Sequence, residues 1–228
     1  YDQIVEVDLS KLEPHVVGPH TPDLARPISK MAAEAKEKGY PIEVKAALIG
    51  SCTNSSYEDI SRSAHIAKQG MKAGLKAKAS FLVSPGSERI YHTMKRDGFL
   101  ETFEKLGGTV LSNSCGPCIG QWKRADGVKG KADSIVSSFN RNFPGRNDGI
   151  NETLSFLASP EVVTAYAITG DLGFDPVNQA VKGADGKEQE WLAEGGSRTV
   201  LLRNGFKGDE VKPGDKIKIV GNPARDGT

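Results

Sequence analysis

Hydrophobic and polar positions switch between two periods along the middle of this chain. From Ile42 the run IEVKAALIG is β-rich and becomes continuously apolar, the pattern of a buried parallel strand. From about Ser56 the period changes. Ile60, Ala64, Ala67 and Met71 share one helical face, and Gly74 suits the end of that helix. KASFLV (78–83) predicts the next strand, and Ser84-Pro85-Gly86-Ser87 opens a helix carrying Ile90 and Met94. FLETFEKL predicts a further helix that stops at Gly107-Gly108, TVLS (109–112) a third strand and SIVSSF (134–139) a fourth. SPEVVTAYAI (159–168) predicts a helix with Ser159 as N-cap, Pro160 at its first position and Glu161 in its first turn. Strands alternating with helices make an α/β domain, three-layer α/β/α with a mostly parallel sheet.

The two ends carry weaker patterns. VEVDLS predicts a short strand. KLEPHVVGPHTPDLARP holds four of the twelve prolines, which favours an extended course, and ISKMAAEAKEK (28–38) predicts a helix. After Asp175 the run VNQAVKGADGKEQEWLAEGG is polar and loop-like, while SRTVLLRNG and DKIKIVGN predict short strands, a small hairpin. The expected division is a lead-in segment over 1–40 that packs on the domain, an α/β domain over 41–187, and a linker or hairpin tail over 188–228.

Composition narrows the function classes. Thirty basic residues stand against 29 acidic ones, and no long run of one sign occurs, so no global field attracts nucleic acid or an anionic membrane. No apolar stretch approaches the ~18 residues of a spanning helix. The chain begins with Tyr1 and has no basic-then-apolar leader, as expected for a processed end or the edge of a longer protein. Cysteines number three, an odd count that points to thiolates or ligands rather than to a secreted disulfide framework.

The placement of those cysteines carries the chemistry. Cys52 follows the first strand of the domain, Cys115 and Cys118 follow the third, and Asn140 and Arg141 follow the fourth. In open parallel sheets, sites form outside the carboxyl ends of strands. Three readings compete for LSNSCGPCIGQW (111–122). A redox dithiol places its first sulfur at a helix N-terminus, but Gly120 is a poor helix former and a dithiol has no use for Cys52. A structural zinc ion needs a fourth ligand, for which His65 and His92 are nearest, both in helical stretches. An iron–sulfur cluster takes soft thiolates, and three of them would leave one iron open as a Lewis acid.

The runs LIGSCTNSSYEDISRSA (48–64), PGSERIYHTMKRDG (85–98), SNSCGPCIGQW (112–122) and SSFNRNFPGRNDG (137–149) closely resemble the aconitases, and the resemblance extends from Tyr1 to about residue 187. It implies a [4Fe-4S] cluster held by Cys52, Cys115 and Cys118. It also implies reversible isomerisation of citrate and isocitrate through cis-aconitate, without net redox change. Asn140 matches the asparagine that hydrogen-bonds at the cluster, and Arg141 and Arg146 match two arginines of the substrate site. Arginine suits a tricarboxylate because its planar fork binds carboxylates at two points. Ser51 and Asn54 flank the first ligand and read equally well as loop and cap residues.

The resemblance also implies that the catalytic acid and base lie elsewhere. The family's serine base and its histidine and aspartate acid side have no counterpart in this chain. The expected unit is therefore the third, cluster-carrying portion of a longer enzyme, inactive alone, whose partners are the remaining aconitase domains. Related hydro-lyases acting on isopropylmalate or homoaconitate share the three cysteines, and cluster-free relatives bind RNA. The SYEDISRSA and FNRNFPGR wording favours aconitase, and the near-zero net charge argues against nucleic acid. The resemblance implies a mitochondrial matrix or bacterial cytoplasmic location.

Overall fold

Seven strands form one sheet, in the order Ala25–Pro27, His15–Val17, Thr153–Leu157, Asp133–Ser137, Val44–Gly50, Ser80–Ser84 and Thr109–Val110. The computed structural model describes residues 2–8, 11–139, 141–184 and 186. All of them lie in a compact unit spanning Tyr1–Glu188. The tail expected over 188–228 falls outside the described residues.

Five strands run parallel: β7 (Thr153–Leu157), β6 (Asp133–Ser137), β3 (Val44–Gly50), β4 (Ser80–Ser84) and β5 (Thr109–Val110). The edge beyond β7 is antiparallel, formed by β1 (His15–Val17) and β2 (Ala25–Pro27). The lead-in thus contributes a hairpin to the sheet rather than a merely extended stretch. VEVDLS behaves differently from its alternation: among its described residues, 5–8 form no strand, and Val5 and Val7 are exposed.

The helices start where their caps dictate. α2 (Tyr57–Lys72) opens on a capping box in which Ser56 and Asp59 bond each other's backbone amides. α3 (Glu88–Arg96) is capped by Ser87, and α5 (Pro160–Thr169) by Ser159. α1 (Ile28–Lys38) and α4 (Phe99–Leu106) coincide with the predicted runs and end on left-handed Gly39 and Gly107.

Strand order decides which face each connection covers. From β3 the chain steps outward to β4 and β5, then returns to β6 and β7 on the other side of β3. Parallel crossovers are right-handed, so outward and returning connections lie on opposite faces. Buried residues of all five helices join one apolar cluster with Ala47, Ile49, Phe81, Val83, Val136 and Phe156 of the strands. The opposite face carries a smaller cluster of Ala46, Leu48, Leu82, Ile135, Phe139 and Cys118, with Leu111 and Trp122 packed on it. The returning β5–β6 connection, which carries the cysteine pair, is therefore a covering layer of the sheet. The reversal of strand order falls between β3 and β6, and the crevice at the carboxyl ends of those strands is the position where such sheets bind ligands.

Candidate functional site

The turn after β3 is held by its two neighbouring strands. Gly50 has φ of 98°, and a Cβ there would overlap the Ser84 carbonyl, so the residue type is dictated by close approach. Ser51 follows in the left-handed region (φ 61°), buried, its amide donating to the Ser84 carbonyl at 2.8 Å. On the other side, Ser138 beyond β6 is the fixed point. Its Oγ accepts the Gly50 amide at 3.1 Å and its carbonyl accepts Asn54 Nδ2 at 2.5 Å. Asn54 is thus a structural clasp across the switch point. Between these anchors Cys52 is presented at the surface.

The second loop begins where Leu111 donates to the Val83 carbonyl at 2.8 Å. Cys115 caps a short 3-10 turn, Gly116–Ile119, and the Cys118 amide donates to the Cys115 carbonyl at 2.7 Å. The turn closes on left-handed Gly120, whose missing side chain lets the Arg146 carbonyl approach; a Cβ would lie 3.1 Å from it. Cys115 is exposed and Cys118 buried against the smaller cluster. β4 lies between β3 and β5, so Cys52 and the cysteine pair do not follow adjacent strands. Instead the β5–β6 connection crosses the sheet face and packs Cys118 with Ala46 and Leu48 of β3.

The third loop follows β6. Asn140 is outside the described residues. Arg141 is exposed. Arg146 stacks its guanidinium over the Phe143 ring, 5.2 Å from the centroid, and its buried Nε has no hydrogen-bond partner among the described residues. Two asparagines pin this loop to β7. Asn142 Nδ2 donates to the Ser155 carbonyl at 3.3 Å, and Asn147 accepts from Ser155 Oγ at 2.9 Å. Arg124 braces it from the cysteine connection, with Nη2 2.5 Å from Asp133 and Nε 3.3 Å from Asp148. Asn142, Asn147, Arg124, Asp133 and Asp148 are not visible in the hydrophobic pattern, which has no signal for polar groups buried in pairs.

The donor set fits an iron–sulfur cluster. All three thiols are free, two are solvent-facing, and all belong to segments at the carboxyl edge of the sheet. Among the described residues no three His, Cys, Asp or Glu side chains are grouped to hold a single metal ion. His65 instead contacts Gln69 on α2, and His92 lies 3.5 Å from Glu88 on α3. A hollow of about 340 Å³ beside the Cys52 turn is lined by Thr53, Asn54, Ser138 and Phe139. Another of about 210 Å³, between Pro41 and Asp133, holds none of the candidate residues.

A mostly parallel α/β sheet carries three free thiols on the segments that follow β3 and β5, and Arg141 and Arg146 on the loop that follows β6. The chain belongs to the aconitase family (aconitate hydratase), whose model matches residues 1–170. Residues 176–228 match a family of unknown function, DUF6152. The chain is similar to the mitochondrial aconitate hydratase of Candida albicans, 60% identical over 188 residues, which covers 82% of this chain and 24% of that protein. The enzyme of Gracilaria gracilis is 54% identical over 202 residues, 89% of this chain and 26% of that protein, and that of Saccharomyces cerevisiae 58% over 188 residues. The chain therefore spans about a quarter of the length of these relatives. No helix among the described residues is long and apolar enough to cross a membrane.

Proposed function

We propose that this chain is the cluster-carrying portion of an aconitate hydratase, with Cys52, Cys115 and Cys118 as ligands of a [4Fe-4S] cluster. What supports the proposal is membership of this family together with three free thiols, Cys52 on the turn after β3 and Cys115 and Cys118 in the connection after β5. When bound, such a cluster supplies a Lewis-acidic iron to a hydroxyl and a carboxylate of citrate or isocitrate. The chain's own residues do the rest of the local work. The 3-10 turn holds Cys115 and Cys118 in one short arc, and the Gly50–Asn54 turn presents Cys52. Arg146, stacked on Phe143 with a buried Nε that has no partner among the described residues, offers a pre-oriented donor to a substrate carboxylate, and exposed Arg141 offers a second. Asn140 is assigned a hydrogen bond at the cluster.

The catalytic acid and base are assigned to other domains of the longer enzyme, so the chain alone should not turn over cis-aconitate. Turnover by the purified chain would refute that assignment. We likewise propose residues 1–40 as a segment packing on a domain over 41–187, with 188–228 as a separate tail. A mitochondrial matrix location is proposed because the relatives above are mitochondrial enzymes. A direct test of ligand identity is cluster uptake by Cys52→Ser, Cys115→Ser and Cys118→Ser, each of which should lose the cluster's visible absorption.

A further inference from the structure

We propose that Asn147 is a positioning residue that ties the loop carrying Cys115 and Cys118 to the loop carrying Arg141 and Arg146. This rests on the functional reading above for its consequence, while its geometry stands independently. Asn147 is 2% exposed. Its Nδ2 donates at 3.2 Å to the carbonyl of Pro117, one of the two residues between the cysteines, and its Oδ1 accepts from Ser155 Oγ at 2.9 Å. The other bond to the Pro117 carbonyl, from the Gly120 amide, is long at 3.5 Å. The Asn147 side chain therefore holds the 3-10 turn from outside.

Ser155 provides the fixed end. It sits within β7, paired in register with Ile135 of β6. Arg146, the residue before Asn147, has its carbonyl against Gly120, the residue that closes the cysteine turn. One side chain thus links a central strand, the cluster-ligand turn and the substrate arginine. A carboxamide meets the need, because the site asks for a donor toward a carbonyl and an acceptor toward a hydroxyl. An ionised aspartate keeps the acceptor and loses the donor; leucine loses both. Asn142 is the natural comparison. It is 3% exposed and bonds the Ser155 and Thr21 carbonyls, with no bond to the cysteine loop among the described residues.

The test compares the full chain with its Asn147→Asp, Asn147→Leu and Asn142→Ala variants. Amide hydrogen exchange is followed in peptides covering residues 115–122 of the metal-free chain, well below the melting temperature. Loss of one neutral hydrogen bond should speed exchange there about fivefold in both Asn147 variants and leave it unchanged in Asn142→Ala. The chain reconstituted with iron and sulfide should release iron to a chelator faster by a similar factor in the Asn147 variants alone. If Asn147→Leu does not fold, the isosteric Asn147→Asp decides. Unchanged exchange in Asn147→Asp, or equal acceleration in Asn142→Ala, would overturn the proposal. Failure of the unmodified chain to take up iron and sulfide would instead count against the functional reading, with the exchange result still deciding the role of Asn147.

Discussion

Replacing Arg124 by methionine keeps an unbranched apolar stem and removes the guanidinium with its charge. The Arg124 side chain is 3% exposed, and its two closest carboxylates are nearly as covered, Asp148 at 1% and Asp133 at 10%. Taking one member from a buried ion pair leaves uncompensated charge and costs about 3–5 kcal/mol. Asp148 keeps two other donors, the Ile150 amide at 3.0 Å and Thr153 Oγ1 at 2.8 Å, so the expected loss is near the lower bound, about 3 kcal/mol. For a unit of this size each kcal/mol moves the melting temperature by about 2–4 °C, giving a drop of roughly 6–12 °C. Thermal and urea unfolding followed by circular dichroism measure it. Adding Asp133→Asn to Arg124→Met should recover part of the loss, because the two sites share one interaction. A loss below about 1 kcal/mol, the size of a solvent-screened surface pair, would refute the reasoning.

Gly50→Ala should cost at least about 2 kcal/mol or prevent folding, since the new Cβ meets the Ser84 carbonyl at a left-handed backbone position; an unchanged urea midpoint would contradict it. Ser159→Ala should cost about 1 kcal/mol through the lost cap on the Val162 amide, and Ser159→Gly only a few tenths. Burial, with Lys68 and Lys72 adding to it, holds the His65 imidazole below its ordinary value. The unfolded chain then binds more protons than the folded one in this range, so stability contributed by neutral His65 is present at neutral pH and is lost as pH falls through about 6.5 and below. His65→Gln should flatten the fall in melting temperature between about pH 7 and pH 5.5; an unaltered slope would remove His65 as a contributor.

The hydrophobic pattern located α1 to α4 because each has a one-sided apolar face and a chemical stop, whereas α5, covered nearly all round, was located by its Ser159-Pro160 start. α1 and α4 match their predicted runs residue for residue, and Ser56, Ser87 and Ser159 mark three starts. β7 was invisible for a physical reason. Thr153 and Ser155 are buried polar residues, satisfied by Asp148, Asn142 and Asn147, so TLSFL lacks the apolar density of a central strand. VEVDLS failed in the opposite way: its alternation is real, but among the described residues no strand pairs with residues 5–8. At the candidate site, the sequence order placed Cys52 after one strand and Cys115 and Cys118 after another, while Arg141 and Arg146 were singled out through the family resemblance. The braces behind them, Asn147 and Arg124, depend on contacts between segments more than twenty residues apart or on partners in another loop, and local sequence carries no trace of these.

The central claim is that Cys52, Cys115 and Cys118 hold one iron–sulfur cluster. Anaerobic reconstitution of the chain with iron and sulfide, followed by iron and acid-labile sulfide counts per chain, tests it most directly. The account predicts about four irons, or three when the open-position iron is lost, with matching sulfide, and loss of both when any one of the three cysteines becomes serine. A folded chain that takes up no sulfide, or that keeps its iron after Cys115→Ser, would contradict it.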